Sequence, residues 1–289
     1  MIKTILALLN GGGADRTVLD VALAIARPFG GHINCCHNPA GTALAFAQMP
    51  EDVPMTGAAL HEAMDRFAQC GDPQAADAIR HFADFCGNHG LLVGATIPHA
   101  GVSAGFLQVR GAPVERLSFL ARYHDMVVME RPSEGNGFPA DLAPRILLNG
   151  GRPLLLLPEH AVFDKGFDTI MLCWKDTAES ARAVAAAVPL LKHAKRVILV
   201  SVDEGHSIEQ ASIQALVAYL EWHDVHVQVR TLLAGDRPTM DVLWSGAHDC
   251  RADLVVMGGY NRGPIREMLF GGCTDSALLW GDLPLLVVH

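Results

Sequence analysis

The residues best suited to chemistry form a glycine-rich stretch near the end of the chain. It reads MGGYNRGPIREMLFGGCTDSALL and begins at Met257, where an apolar run ends. Glycines let backbone N–H groups approach a phosphate, and the N-terminus of a following helix adds a positive dipole end. The stretch predicts a nucleotide or phosphate site, and the alternative is a tight strand-to-helix corner without a ligand. Its candidate binding residues are Met257, Gly258, Gly259, Asn261, Arg262, Gly271, Gly272, Cys273 and Thr274.

The strands and helices that position this stretch belong to a sequence pattern that occurs twice in the chain, with a period of roughly 130 residues. An apolar strand, a turn and a helix open each half, with the strands at Ile5–Leu9 and Ile170–Trp174. The fourth strands read HDMVVME and ADLVVMG, and the halves close with GGRPLLLLP and GDLPLLVVH. Apolar strands that alternate with helices indicate parallel strands covered by helices on both faces.

The repeat predicts an α/β chain of two tandem, doubly wound, flavodoxin-like domains, each with a five-stranded parallel sheet. We place the domains at residues 1–158 and 166–289, with an insertion near 38–73 in the first. Ligands of such sheets bind beyond the carboxyl ends of the strands, at the switch point in strand order. The turns after the first and fourth strands of each half are therefore expected at this place, and the glycine-rich stretch is the turn after the fourth strand of the second half.

Both halves resemble the universal stress protein family almost from end to end, except for the insertion. Members that bind ATP carry G-x2-G-x9-G-S/T after a strand ending in VMG. In this chain the frame runs Gly258, Asn261, Gly271, Gly272, so the spacing is kept while Asn replaces the second Gly and Gly replaces the Ser/Thr. Asn tolerates a left-handed backbone better than most residues, and Thr274 still offers a hydroxyl two positions on.

The resemblance implies an adenine nucleotide alpha hydrolase-like fold of the tandem type and a stress-response role. It implies ATP or ADP as a regulatory ligand of the second half only, with no metal beyond a nucleotide-bound Mg. In the family an Asp after the first strand contacts the nucleotide, and its counterparts are Asn10 and Lys175. Val202 is the counterpart of a family valine at the end of the second strand that contacts the base of the nucleotide. Glu130 replaces the first motif Gly in the first half, where a carboxylate would repel a phosphate.

Three functions stay open at this stage. The leading one is regulatory nucleotide binding with no catalytic residue, so that any ATP hydrolysis is slow. The alternative is a nucleotide-free interaction module that docks onto an unknown protein partner, which the absence of the Asp favours. A third is a small-molecule or redox enzyme on the same scaffold, supported by the enlarged first half and by Cys273, whose thiol would be activated at a helix N-terminus.

Composition narrows the partners and the compartment. The net charge of −9 and the absence of a Lys/Arg cluster argue against nucleic acid held by general electrostatics. The apolar run near the N-terminus ends after six residues, TILALL, which is too short for a signal peptide or a membrane span. Seven cysteines at irregular spacing suggest no disulfide framework, so we expect a cytoplasmic protein.

Two further expectations concern metal ions and assembly. His32, Cys35, Cys36 and His37 lie on one predicted strand, where alternate side chains face opposite ways, so they predict a buried core and no metal site. By resemblance, the closing segments Pro153–Pro158 and Pro284–His289 pair the halves as an internal pseudo-dimer, and a homodimer of the whole chain is left open.

Overall fold

The computed structural model describes residues 1–37, 73–95, 100–107, 113–133, 135–161, 163, 166–203, 210–259, 277–278 and 281–289. Contacts divide the chain into two compact units. The first comprises Met1–Arg152 with Glu159–Asp164, and the second comprises Pro153–Pro158 with Lys165–His289. The predicted α/β class, with strands and helices alternating around parallel sheets, is confirmed.

The first unit alternates strands and helices around a parallel sheet. Its elements are β1 (Thr4–Leu9), α1 (Asp15–Ala26), β2 (His32–His37), α2 (Pro73–His89), β3 (Leu92–Val93), β4 (Ser103–Leu107), α3 (Pro113–Ala121), β5 (Met126–Glu130) and α4 (Leu142–Gly150). The strands lie in the order β3-β4-β2-β1-β5, and each neighbouring pair is parallel. The central strand β1 is buried on both faces, which is why TILALL carries no alternation of polar and apolar residues.

The second unit repeats this arrangement with different lengths. Its elements are β6 (Leu154–Leu157), β7 (Thr169–Cys173), α5 (Ala178–Leu191), β8 (Arg196–Asp203), α6 (Gln210–Trp222), β9 (Val227–Leu233), α7 (Thr239–Asp249), β10 (Leu254–Gly258) and β11 (Leu285–Val288). The parallel strands lie in the order β11-β10-β7-β8-β9. β6 pairs antiparallel with β11, with Leu155 opposite Leu286. The two closing segments named from the sequence therefore contact each other within the second unit.

The elements predicted from periodicity lie within a few residues of those observed. The short strand β3 was not predicted, because two residues carry no readable pattern. Most of the insertion predicted near 38–73 falls outside the described residues. None of the helices that the structure describes has the length and apolarity that crossing a membrane requires.

Ser201 provides a test of the core of the second unit. Its hydroxyl is buried and has no hydrogen-bond partner within the described part of the chain. Because an unpaired buried hydroxyl costs about 1 kcal/mol or more, Ser201→Ala should raise the free energy of unfolding by about that amount. Urea unfolding measures it. Ser180→Ala is the matched control, since the buried Ser180 hydroxyl accepts a hydrogen bond from Thr177 and should not gain stability on removal. A loss of stability in Ser201→Ala would contradict the assignment.

Candidate functional site

The switch point of the second unit lies between β7 and β10. From β7 the chain crosses to β8 on one side, and β10 later pairs with β7 on the other. The carboxyl ends of these parallel strands meet at one edge, where Lys175 follows β7, Val202 lies near the end of β8 and Gly258 ends β10. The structure thus brings these three predicted residues to the same edge of the sheet.

Gly258 is required by the closeness of the helix that follows β7. A Cβ at Gly258 would stand 2.5 Å from the backbone nitrogen of Ser180 and 2.6 Å from the carbonyl carbon of Glu179. The helix α5 begins there, with the Thr177 hydroxyl accepting the Ser180 N–H at 3.2 Å. The motif glycine therefore lets the first turn of α5, with its positive dipole end, reach the switch point.

The chain that leaves β10 is fixed by the last residues of the second unit. Gly259 N–H donates to the Val288 carbonyl at 2.8 Å, and the His289 Nδ1–H donates to the Gly259 carbonyl at 3.2 Å. Arg182, on α5, donates its Nε–H to the His289 carbonyl at 3.0 Å. These bonds define the path by which the backbone enters the glycine-rich stretch. The predicted residues Asn261, Arg262, Gly271, Gly272, Cys273 and Thr274 lie outside the described residues.

The side chains at this edge differ in exposure. Lys175 is exposed, Val202 is half-buried, and Met257 is buried with 7% of its surface exposed. An exposed ammonium group can bind the negative charge of a ligand, and apolar side chains at the same edge can pack against an aromatic ring of that ligand. Among the described residues at this edge, no group of three or more His, Cys, Asp or Glu side chains is arranged to hold a metal ion.

The switch point of the first unit is occupied by the chain's own side chains. Asn10, just beyond β1, donates its Nδ2–H to Glu130 Oε2 at the end of β5, at 2.6 Å. The Asn10 Oδ1 accepts the Gly12 N–H at 2.8 Å. Asn10 and Glu130 are both buried. The pair therefore bridges the two strand ends between which a ligand would have to enter.

Asp15 accepts hydrogen bonds from the backbone N–H groups of the turn that follows β1. Its Oδ1 accepts the Asn10 N–H at 2.9 Å, and its Oδ2 accepts the Gly11 N–H at 3.1 Å. The same Oδ2 accepts a hydrogen bond from His81 Nδ1 at 3.0 Å, and Asp15 is only 1% exposed. A buried carboxylate at the N-terminus of α1 thus binds the backbone N–H groups that the turn would otherwise present to a ligand. Sequence reasoning missed Asp15 and His81. An acid six residues after the strand end was the available signal for Asp15.

The helix α2, which follows the insertion, covers this turn. Gly11 has a φ of +80°, and a Cβ at this position would stand 2.2 Å from the Gln74 carbonyl oxygen in the first turn of α2. His81 extends from the same helix to Asp15. The first switch point is therefore closed from within by side chains and from outside by α2.

The electrostatics of the closed site follow from burial. Burial raises the pKa of Glu130, and the neighbouring Glu159 and Asp15 add to this, while the hydrogen bond from Asn10 opposes it. The hydrogen bond to Asp15 raises the pKa of His81, an effect that partial burial opposes. Protonation of Glu130 and of His81 therefore each relieves negative charge in this cluster.

The His–Cys strand shows a structural role for its polar groups. Cys35 and Cys36 are fully buried on β2, and burial raises the pKa of both thiols. His32 Nδ1 contacts the Ser103 hydroxyl at 2.7 Å, whereas His37 Nδ1 contacts the Leu9 carbonyl at 3.1 Å. Among the described residues, no group of three or more His, Cys, Asp or Glu side chains is arranged to hold a metal ion.

The Asp15–His81 contact predicts a pH dependence of stability. Because the pKa of His81 is raised in the folded state, its contribution is complete below the unfolded pKa of about 6.5 and is lost as the pH rises through the folded pKa. His81→Gln should therefore destabilise the first unit more at pH 5.5 than at pH 9. Thermal unfolding of both proteins across this range tests it, with His193→Gln, an exposed residue, as the control. A pH-independent difference would contradict the assignment.

Three solved structures match nearly the whole chain. A universal stress protein from Archaeoglobus fulgidus DSM 4304 has a TM-score of 0.64 at 14% identity, with 99% of this chain and 96% of the other covered. The chain has the universal stress protein fold. A protein of unknown function from Pseudomonas aeruginosa PAO1 matches with a TM-score of 0.61 at 13% identity, covering 99% of this chain and 92% of the other. A candidate universal stress protein from Pseudomonas aeruginosa UCBPP-PA14 gives 0.54 at 13% identity, with 99% and 93% covered.

These matches confirm the predicted resemblance at the level of the tandem fold. No family model and no curated protein sequence matches the chain. Identities of 13–14% establish the universal stress protein fold and leave the ligand to be argued from this chain's own residues.

Proposed function

We propose that the chain is a stress-response protein whose second half binds ATP or ADP as a regulatory ligand and whose first half is a closed scaffold. The observation that carries the proposal is the difference between the two switch points. In the first, Asp15 takes two backbone donors and Glu130 bridges to Asn10. In the second, the strand ends present Gly258 and an exposed Lys175.

The proposed contacts use the donors that the sequence places around the second switch point. Backbone N–H groups of Gly271, Gly272 and Cys273 would bind phosphate oxygens, and Arg262, Thr274 and Lys175 would add charge and a hydroxyl. Val202 and Met257 would form an apolar wall for the base, and Asn261 would take the left-handed turn of the second motif position. A Mg ion would enter only with the nucleotide. We expect any hydrolysis to be slow, because the sequence assigns no residue of this site as a general base.

Isothermal titration calorimetry with ATP and ADP tests the proposal. The wild-type protein should bind, and a variant with Gly271→Val and Gly272→Val should lose at least about tenfold in affinity, since side chains would keep phosphate from the backbone donors. Gly13→Val is the matched control in the first unit, where a Cβ meets nothing within 4 Å. Absence of binding at millimolar nucleotide, with the fold intact by circular dichroism, would end the proposal.

A second candidate is a nucleotide-free interaction module of the same fold. The observation that favours it is Lys175 in place of the acid that the family uses after the first strand, together with the closure of the first switch point. Stress tolerance of cells that carry only the Gly271→Val, Gly272→Val variant separates the two functions. Full tolerance would mean that the nucleotide site is dispensable.

A further inference from the structure

The outer side of α3 in the first unit carries aromatic rings that are exposed to solvent. Tyr123 is 66% exposed and Phe119 is 40% exposed. Their ring centroids lie 5.2 Å apart in an edge-on arrangement, and the Arg116 guanidinium lies 5.4 Å from the centroid of Phe119. Exposed aromatic side chains of this size, beside arginine, are typical of protein interfaces. We name the surface formed by Arg116, Phe119, Arg122, Tyr123 and Arg152 the arginine–aromatic face.

Two arginine side chains of this face are oriented by hydrogen bonds to backbone carbonyls. Arg152 donates its Nε–H and an Nη2–H to the Arg122 carbonyl, at 3.2 and 3.0 Å. Arg122 donates its Nε–H to the Asn149 carbonyl at 3.0 Å. Both side chains are exposed, and these bonds fix their orientation while leaving further N–H groups for a ligand. The chain therefore presents two exposed and oriented guanidinium groups, Arg152 against the backbone of Arg122 and Arg122 against the backbone of Asn149.

Neither arginine is neutralised by a carboxylate within the described part of the chain. The neighbouring Arg145 shows the contrast, because it pairs with Asp141 at 2.7 Å and with Glu115 at 3.3 Å. Among the described residues, the partners of the Arg122 and Arg152 side chains are backbone carbonyls. In a protein with a net charge of −9, an unneutralised pair of arginines is a local reversal of sign. Such a reversal favours an anionic group from outside the chain, because neither guanidinium has a carboxylate partner among the described residues.

We propose that the arginine–aromatic face docks an acidic peptide segment of a partner protein. Two carboxylates of the segment would bind Arg122 and Arg152 in the bidentate manner that guanidinium favours, and an apolar residue beside them would pack on Phe119 and Tyr123. A nucleic acid or an anionic membrane fits less well, because two arginines neutralise few of the many negative charges that either one presents.

Fluorescence anisotropy of a labelled peptide tests this face on the full chain. The probe is a short peptide with four glutamates around a single phenylalanine, and its control has glutamine at the four positions. Binding should weaken at least about tenfold in an Arg122→Gln, Arg152→Gln variant and should fall as salt rises from about 50 to 300 mM. The variant Arg16→Gln, Arg80→Gln removes the same charge from another surface of the first unit, and its affinity should stay within about twofold of wild type.

Further variants separate the two parts of the face and keep the result interpretable. Phe119→Ser should weaken the glutamate–phenylalanine peptide but not a peptide in which alanine replaces the phenylalanine. Equal loss in both double arginine variants would overturn the proposal, because net charge alone would then explain binding. Tighter binding to single-stranded RNA or to phosphatidylserine vesicles than to the peptide, or no peptide binding at about 1 mM, would also overturn it.

Discussion

Asp15→Ala should destabilise the first unit by about 3 kcal/mol or more, because it removes a buried carboxylate that accepts three hydrogen bonds. The N–H groups of Asn10 and Gly11 would lose their acceptor, and His81 would lose the group that raises its pKa. The turn after β1 would also lose the negative charge at the N-terminus of α1. Urea unfolding, read out by hydrogen exchange of peptides from the first unit, measures the loss.

Asp20→Ala is the matched control for this prediction. Asp20 lies on the same helix, but its side chain is 28% exposed and its ion pairs, with Arg16 and His89, are long at 3.8 and 3.6 Å. Its removal should cost less than about 1 kcal/mol. If the two variants were equally stable, Asp15 would not be holding the first switch point closed.

Gly258→Ala should destabilise the second unit by about 2–4 kcal/mol, because the added Cβ meets backbone atoms of α5 that cannot rotate away. The closest of these, the Ser180 nitrogen and the Glu179 carbonyl carbon, lie at 2.5 and 2.6 Å. Relief of the clash requires α5 to move from β10, which would displace the N-terminus of the helix from the switch point. The same variant should therefore lose nucleotide binding.

Gly246→Ala is the matched control within the second unit. Its added Cβ would meet only the end of the flexible Leu232 side chain, at 2.6 Å, and alanine favours the helix α7 by about 1 kcal/mol over glycine. Its stability should therefore stay near that of wild type. Thermal unfolding of the two variants tests this prediction. Equal stability of Gly258→Ala and Gly246→Ala would contradict the packing argument.

Local patterns sufficed for the fold but not for the closure of the first site. Apolar runs such as TILALL and the repeated strand endings predicted the elements and the tandem arrangement, since buried parallel strands leave a clear mark on a sequence. The role of Gly258 was predicted as a ligand contact, and the structure adds that the helix α5 requires a glycine there. This second reason depends on a distance between two elements, which no pattern within one element contains.

The closure of the first switch point depends on contacts far apart in the chain. Glu130 was expected to repel a phosphate, and it is in fact hydrogen-bonded to Asn10, 120 positions away. His81 reaches Asp15 across 66 positions from a helix that follows the insertion. Such pairs become visible only once the sheet order is known, because their separation along the chain is unrelated to their separation in space.

The two halves therefore use one architecture in two ways. The first fills its strand-end crevice with its own carboxylates, amides and an imidazole, so that the groups described there bind one another. The second keeps glycine at the same place and carries Lys175 at its edge. On this account the asymmetry between the halves is the functional feature of the tandem chain.

The stoichiometry of ATP binding tests this asymmetry most directly. Isothermal titration calorimetry of the full chain should give one nucleotide per chain, with that site lost in the Gly271→Val, Gly272→Val variant and kept in Asn10→Ala. Two sites per chain, or one site that survives the glycine substitutions and disappears with Asn10→Ala, would contradict the account.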